Sequence, residues 1–322
     1  MRGACLLELG RDDEALAPIR RAWTEAAQRN LHTTAVWWLP DAVRAAIVHD
    51  IEPAYVRRFV RAHALPGPDA LLPDWPWPLV LRGFGSFEAL RDDAPLVRAG
   101  TKAAQRPLDL LRALLAHGPT PLPVATVMQW LWPESDAAAQ RKAFDVALLR
   151  LRRMLGDTRL LKLEGARLWL DERWCWTDVG ALGALMQRIG SAHEATPAEL
   201  RRWSRSLLAL VRGPFLVEET ADWAFAARLR CSQRFVVTVA QLAARIEPLD
   251  ADEAAALYER ALDIEPLAES LSRRLMRLHA KRGDRAEALR AWRACRTMLE
   301  AAAGIGPSRE TRALAAELGL PE

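Results

Sequence analysis

The sequence lacks several features that define whole classes of proteins. No apolar run is long enough to cross a bilayer, and residues 1–4 lead into a helix-like segment rather than into a signal peptide. The four cysteines (Cys5, Cys175, Cys231, Cys295) stand far apart and form no CxxC pair, so neither a disulfide framework nor a structural metal site is expected. These absences predict a cytoplasmic protein with reduced thiols and no membrane partner.

Signatures of common enzymatic sites are also missing. Residues 100–102 (Gly-Thr-Lys) have the wrong order for a phosphate-binding loop, and no GxSxG or HExxH motif occurs. Residues 83–85 (Gly-Phe-Gly) lack the third glycine of a dinucleotide loop, because Glu88 stands there, so we expect a strand bend. The six histidines are scattered. We therefore expect no catalytic residue, no bound metal, no cofactor and no enzymatic activity.

Charge is nearly balanced overall but unevenly distributed. The chain of 322 residues is 51% hydrophobic and 27% charged, which fits a globular protein of two or three domains. Residues 99–175 hold twelve Lys and Arg against eight Asp and Glu, and this excess equals the net charge of +4 of the whole chain. The location of the excess is a mild indication of a nucleic-acid partner.

A helical repeat is visible near the C-terminus. DEAAALYERAL (252–262) and AEALRAWRAC (286–295) share a period of 34 residues, which also separates Tyr258 from Trp292. This period is typical of tetratricopeptide-like helical hairpins, with a non-repeating helical bundle as the alternative. The residues predicted to pack inside these hairpins are Ala254, Leu257, Ala261, Leu275, Leu278, Ala288 and Trp292.

The N-terminal region contains part of a similar pattern. Residues 5–24 predict one helix that ends at Gly10 and another that starts near Asp12 or Asp13. Only about nine residues precede Gly10, too few for a complete hairpin, so we expect the chain to be a piece of a longer helical-repeat protein. LPGPDALLPDWPWP (65–78) carries five prolines and is predicted to be a linker whose tryptophans pack on a neighbouring element.

After the linker, the pattern changes to strands, three helices and a hairpin. Short β-like pieces are predicted at residues 79–81, 84–87 and 96–97, with a turn at 91–93. Helices with one apolar face are predicted at residues 105–117, 122–132 and 136–155. RLLKLEGARLWLDE (159–172) alternates around Glu164-Gly165 and predicts a β-hairpin.

This order of elements is that of a winged helix–turn–helix, in which one helix lies in the major groove and the hairpin, or wing, touches the flanking backbone. On the third helix, the face opposite Phe144 and Leu151 carries basic and apolar side chains that could meet phosphates, guanine edges and thymine methyl groups. An ordinary amphipathic helix with solvated charges is the alternative. The predicted DNA contacts on this helix are Arg141, Lys142, Asp145, Val146, Leu149, Arg150 and Arg153. Additional phosphate candidates are Lys162 and Arg167 on the wing and Lys102 and Arg106 before the first helix.

The corner before the third helix reads QWLWPESD (129–136). Trp130 and Trp132 are predicted to anchor the second helix in the core. Pro133 ends that helix, and Ser135 or Asp136 caps the next one.

These motifs resemble a known family. RPLDLLRALLAHG (106–118), VMQWLWPESDAAAQRKAFDVALLRLRRMLG (127–156), the hairpin and WCWTDVGAL (174–182) resemble the OmpR-type winged helix of the Streptomyces antibiotic regulatory protein (SARP) family. The downstream segments 207–230, 256–299 and GIGPSRET (304–311) resemble the bacterial transcriptional activator domain that accompanies it. Residues 1–75 resemble the end of the helical-repeat sensor of MalT-like regulators, which place a signalling NTPase upstream.

The resemblance implies roles for individual motifs. LWP (131–133) closes the second helix, AFDVALLRLRRML (143–155) is the recognition helix, and RGPFL (212–216) forms a structural turn early in the activator domain. Val146 and Leu149 stand where many relatives use polar residues. The implied fold is mainly α, with a winged helix–turn–helix flanked by tetratricopeptide-like hairpins. The implied domains are a helical-repeat remnant (1–64), a Pro/Trp linker (65–77), the DNA-binding domain (78–177) and the activator domain (178–322).

The resemblance thus implies a cytoplasmic, nucleoid-associated transcriptional regulator, an activator that binds duplex DNA at repeated sites. The helical-repeat domain is expected to support self-association on DNA or contact with RNA polymerase. Two other hypotheses remain: a protein-interaction scaffold whose winged helix no longer binds DNA, and an enzyme fragment whose active site lay upstream.

Overall fold

The computed structural model describes four ranges of the chain, namely residues 2–31, 39–96, 105–192 and 194–321. Helices dominate these residues, which confirms the predicted mainly-α fold class. No helix in the described ranges is long and apolar enough to span a membrane. The chain forms two compact units, the first with residues 1–81, 88–114 and 119–177 and the second with residues 82–87, 115–118 and 178–322.

The elements follow one another in the order α1–α4, β1–β3, α5, β4, α6, α7, β5–β7, α8–α14. The helices up to residue 177 are α1 (Arg2–Glu8), α2 (Asp12–Gln28), α3 (Leu39–Val48), α4 (Pro53–Ala62), α5 (Gln105–His117), α6 (Val124–Leu131) and α7 (Ala137–Leu155). The strands are β1 (Leu79–Arg82), β2 (Glu88–Arg91), β3 (Ala94–Pro95), β4 (Leu122–Pro123), β5 (Leu161–Glu164), β6 (Arg167–Leu170) and β7 (Cys175–Thr177). The remaining helices are α8 (Asp178–Ser191), α9 (Pro197–Leu210), α10 (Asp222–Ile246), α11 (Ala251–Ile264), α12 (Glu269–Lys281), α13 (Arg285–Ala303) and α14 (Arg309–Glu317).

The first four helices pack through aromatic side chains. Trp23 of α2 meets Tyr55 and Phe59 of α4 edge to face, at ring-centroid distances of 6.0 and 5.3 Å. The Trp23 indole N–H also donates to the carbonyl of Ala42 in α3. Between α1 and α2 the chain reverses at Gly10, whose φ of +69° suits glycine, so the predicted helix break is confirmed.

The proline-rich linker is tightly packed. Trp75 and Trp77 are buried, which confirms that the tryptophans of this segment pack on neighbours. The Trp77 ring occupies the space beside Gly67, where a Cβ would lie only 1.9 Å from a ring carbon. The linker joins the end of the winged helix through two bonds, from Gly67 N–H to the carbonyl of Arg173 and from the Trp176 indole to the carbonyl of Ala70.

A four-stranded sheet in the order β3-β2-β1-β7 precedes and closes the winged helix, with β1 and β7 parallel. Two of the predicted strand positions were wrong. The piece at 84–87 is not a strand, since the second strand is β2 and Phe84 forms only an isolated bridge with Phe215. The third strand is Ala94–Pro95 rather than 96–97; Leu96 lies outside it, and residue 97 is outside the described ranges.

Three helices and a second sheet complete the winged helix. Helices α5 and α7 match their predictions closely, whereas α6 is shorter than the predicted 122–132 because its first two residues form β4. In the second sheet, β4 and β5 both pair with β6. The hairpin turn is Gly165–Ala166, with φ of +53° and +59°, so the predicted centre at Glu164-Gly165 was wrong by one residue.

The second unit contains the repeated hairpins. Helices α11 and α13 begin 34 residues apart, at Ala251 and Arg285. All seven side chains predicted to face inward are buried, and the most exposed of them, Leu278, is 5% exposed. The structure thereby confirms the tetratricopeptide-like packing of this region.

The RGPFL motif (212–216) forms the predicted turn and also pairs with the backbone of residues 83–85. Gly83 accepts from Leu216 N–H at 2.7 Å, and Gly85 N–H donates to Pro214 at 3.0 Å. The Phe215 ring lies so close to Gly83 that a Cβ there would be 2.3 Å from a ring carbon. Residues 82–87 therefore belong to the second unit through contacts with this motif.

Candidate nucleic-acid interface

Helix α7 has well-defined ends. Asp136 caps its N-terminus by accepting from Ala139 N–H at 2.8 Å, and Gly156 ends it in the left-handed conformation at φ +65°. The side chain of Gln140 donates to the carbonyl of Trp132 at 2.9 Å, which ties the first turn of α7 to the end of α6. The capping prediction is confirmed for Asp136.

The tryptophans of this corner do not reach the core. Trp130 and Trp132 are half-buried, so their predicted role as core anchors was wrong. Val124, Val127 and Leu131 fill the inner side of α6 instead. Since α6 has only eight residues, its two-turn inner face is already occupied by these aliphatic side chains.

The two faces of α7 differ sharply. Its inner stripe is buried, with Phe144 and Leu151 fully so. Every DNA contact predicted on this helix is exposed, and Val146 and Leu149 are 42% and 50% exposed although both are apolar. The outer face therefore presents cations and aliphatic groups together to solvent.

Most of the cations on this face are unpaired. Arg141 is engaged by Asp145, with Nε 3.1 Å from Oδ2, and its guanidinium lies 5.8 Å from the centre of the Phe144 ring. Lys142, Arg150 and Arg153 form no ion pair with any described residue. Sequence reasoning missed Arg152, which is exposed beside Asp145 on the same face and is equally unpaired within the described ranges.

The structure adds Arg106 to this group. An open concavity of about 380 Å³ is lined by Arg106, Trp132, Ala139, Lys142, Ala143, Val146, Ala147 and Arg150. Arg106 was predicted to lie before the first helix, but it lies in the first turn of α5. Its guanidinium is 3.6 Å from the Asp109 carboxylate. The lining of the concavity thus combines apolar side chains with three cations.

The other phosphate candidates lie apart from this concavity. Arg167 is exposed at the start of β6 and donates to the carbonyl of Pro121 at 3.3 Å. Lys162 is half-buried on β5, opposite Trp169. Lys102 lies outside the described residues. Within the described ranges, His, Cys, Asp and Glu side chains form no group of three or more that could hold a metal ion.

Comparison with known proteins agrees with this architecture. Residues 177–318 match the family model of the bacterial transcriptional activator domain. No curated protein matches the sequence. The fold is similar to that of Mycobacterium tuberculosis EmbR, solved in complex with a low affinity phosphopeptide, with a TM-score of 0.56 and 23% identity over 76% of this chain. The similarity spans 66% of the EmbR chain. Residues 177–318 are thus similar to a bacterial transcriptional activator domain, and they follow residues that form a winged helix.

Proposed function

We propose that the chain binds duplex DNA through α7 and activates transcription. The observation that supports this most strongly is the outer face of α7, where unpaired cations alternate with exposed aliphatic side chains. Burying such a face on a major groove would cover the apolar groups and supply phosphates for the cations. A merely solvated helix gains nothing from exposing Val146 and Leu149.

The residues divide into two roles. Lys142, Arg150 and Arg153 would contact phosphates or guanine edges, and Val146 and Leu149 would meet thymine methyl groups. Positioning contacts to the backbone would come from residues outside α7, namely Arg106, Lys102, Lys162 and Arg167. Arg141 and Asp145, which form an ion pair with each other, would lie at the edge of the interface.

The activator domain would act by recruitment. It would order neighbouring protomers on repeated sites or contact RNA polymerase, without covalent chemistry. The protein would act at the nucleoid in the cytoplasm. We also propose that the helical-repeat remnant ends at residue 64 and that the Pro/Trp linker ends at residue 77.

The test is the salt dependence of DNA binding by Lys142→Ala/Arg153→Ala. Each lost phosphate contact should reduce the log–log slope by about 0.9, so the double variant should lose about 1.8 of slope and bind more weakly. The affinity for a promoter fragment is measured by fluorescence anisotropy between 50 and 200 mM salt. Arg20→Ala/Arg21→Ala is the matched control, since it removes the same charge from exposed positions of α2. Unchanged affinity and slope in the α7 variant would remove α7 from the interface.

A second function, a protein-interaction scaffold, is favoured by a cleft in the activator domain. The cleft, of about 480 Å³, is lined by residues of α11–α13, with Leu275, Ala291 and Met298 beside buried His279. The Nδ1 atom of His279 has no hydrogen-bond partner among the described residues. Titration of random-sequence duplex at low salt separates the two functions, because a scaffold should not bind DNA even there.

A further inference from the structure

The outward face of α12 is basic from Arg273 to its C-terminal end at Lys281. Arg274, Arg277 and Lys281 are exposed at spacings of three and four residues, and half-buried Arg273 stands beside them. These four side chains line an open concavity of about 330 Å³ together with Ser270 and Glu247. We call Arg273, Arg274, Arg277 and Lys281 the α12 surface.

Three of the four cations of the α12 surface are not paired with an acid of the described residues. Arg274, Arg277 and Lys281 form no ion pair with any described residue. Glu247, the acidic member of the lining, accepts the Tyr258 hydroxyl at 2.8 Å, and Arg274 also interacts with that hydroxyl. By contrast, the adjacent Arg282 pairs with both Asp252 and Asp284.

Grouping like charges in this way opposes helix stability. Residues three and four positions apart are neighbours on a helix, so Arg277 repels Arg273, Arg274 and Lys281. Surface helices usually intersperse both signs. Four cations face one carboxylate, Glu247, in this concavity, and such an excess of one sign is explained if an external polyanion covers it.

We propose that the α12 surface contacts the phosphate backbone of duplex DNA. This inference rests on the proposed function, to which it adds a second, sequence-independent contact supplied by the activator domain. The stripe from Arg274 to Lys281 extends about 10 Å along the helix. Duplex DNA carries about one charge per 1.7 Å of axis, so a stripe of that length can meet several phosphates.

The chemistry of the lining favours DNA over an acidic protein segment. All six residues of the concavity are polar or charged, whereas protein interfaces usually bury an apolar core with aromatic or aliphatic anchors. Arginine forks suit phosphate oxygens, and contacts to the DNA backbone need no apolar pocket. A groove lined by four cations, one serine and one glutamate, with no apolar side chain, matches the sugar–phosphate surface.

The experiment compares two double variants of the full chain on a random-sequence duplex of about 60 base pairs. Arg274→Ala/Arg277→Ala removes two cations of the α12 surface. Arg260→Ala/Arg290→Ala removes two cations that are paired with Asp263 and Glu287 in the same domain. Between 50 and 200 mM salt, wild-type affinity should fall about tenfold more than that of the α12 variant, as expected for two lost contacts of about 0.9 each. The control should keep the wild-type slope.

Other outcomes are equally informative. A slope in the α12 variant equal to that of the control would overturn the inference. If only Lys142→Ala/Arg153→Ala lost slope in this assay, the proposed function would stand and the α12 contact would fall. If the wild-type chain did not bind DNA at low salt, both would fall. Binding of poly-glutamate that the α12 variant loses while it keeps full DNA affinity would assign the surface to an acidic protein and overturn the DNA contact. Circular dichroism should show a folded variant, because both substituted side chains are exposed.

Discussion

Phe144→Ala should destabilise the winged helix far more than Val146→Ala, although both side chains belong to α7 and lie two positions apart. Phe144 is fully buried, whereas Val146 is 42% exposed. Truncation of a buried Phe removes apolar contacts and leaves a cavity, at a typical cost of about 3–5 kcal/mol. Surface substitutions usually change the free energy of unfolding by less than about 0.5 kcal/mol. Hydrogen exchange of α7 amides in a urea series measures this free energy for each variant.

The same pair of variants separates folding from DNA contact. If α7 reads thymine methyl groups, Val146→Ala should weaken binding to the recognised site while its exchange rates stay near those of the wild type. Phe144→Ala should lose binding only in proportion to the unfolded fraction. Equal losses of stability in the two variants would contradict the assignment of one face of α7 to the core and the other to DNA.

The sequence carried enough information to place α7 because every local signal agrees. The apolar stripe repeats at the helical period, Asp136 supplies a cap, and Gly156 supplies the left-handed residue at the end. The exposed face then follows from geometry alone. For this reason the sequence predicts all seven candidates on the outer surface of α7, where the structure has them.

The turns were harder to predict because some of their non-glycine residues have a positive φ, which such residues rarely adopt. A two-residue hairpin turn of type I′ needs positive φ at both central positions, and glycine at the second is the usual signal. Here Ala166 takes that position at φ +59° after Gly165, and the sequence signal therefore points one residue too early. Asp92 and Asp93 make the β2–β3 turn with positive φ as well. The predicted turn at 91–93 was close because aspartate tolerates this conformation.

Long-range contacts account for the misplaced strand at 84–87. Phe84 and Phe87 predict β structure by composition, but the backbone at Gly83 and Phe84 donates to a carboxylate more than ninety residues downstream. No local pattern encodes such a partner. The net charge also gives no indication of the basic residues on α12. Outside residues 99–175 the chain is neutral overall, although α12 carries a local group of cations.

That downstream carboxylate belongs to Asp178, the first residue of α8, which is 1% exposed. Its Oδ2 atom accepts from Gly83 N–H at 2.7 Å and Phe84 N–H at 2.8 Å, and Oδ1 accepts from Val179 N–H at 2.9 Å. Burial raises the pKa of Asp178 from 3.8 to about 6, against the opposing effect of these bonds and of Arg212. The side chain thus holds residues 82–87 in the second unit while carrying a destabilised charge at neutral pH.

The contribution of Asp178 to stability should therefore fall as pH rises from about 4 to about 6. In this window the folded state binds the Asp178 proton more tightly than the unfolded chain, so unfolding releases it and is favoured by higher pH. A pKa displaced by about two units corresponds to about 3 kcal/mol, lost across the window and then constant above it. Asp178→Asn cannot ionise and should lack this component, although its amide N–H₂ would face Val179 N–H and impose a constant cost.

The decisive quantity is the difference in free energy of unfolding between wild type and Asp178→Asn at each pH. Asp157 and Asp171 have pKa values lowered by Arg159 and Arg173, so their contributions to stability increase as the pH rises. These contributions are the same in wild type and variant and cancel in the difference. The wild type should gain about 2.4 kcal/mol relative to the variant when the pH is lowered from 7 to 4. A flat difference would mean that the carboxylate keeps an ordinary pKa, with its three N–H donors and Arg212 fully offsetting its burial.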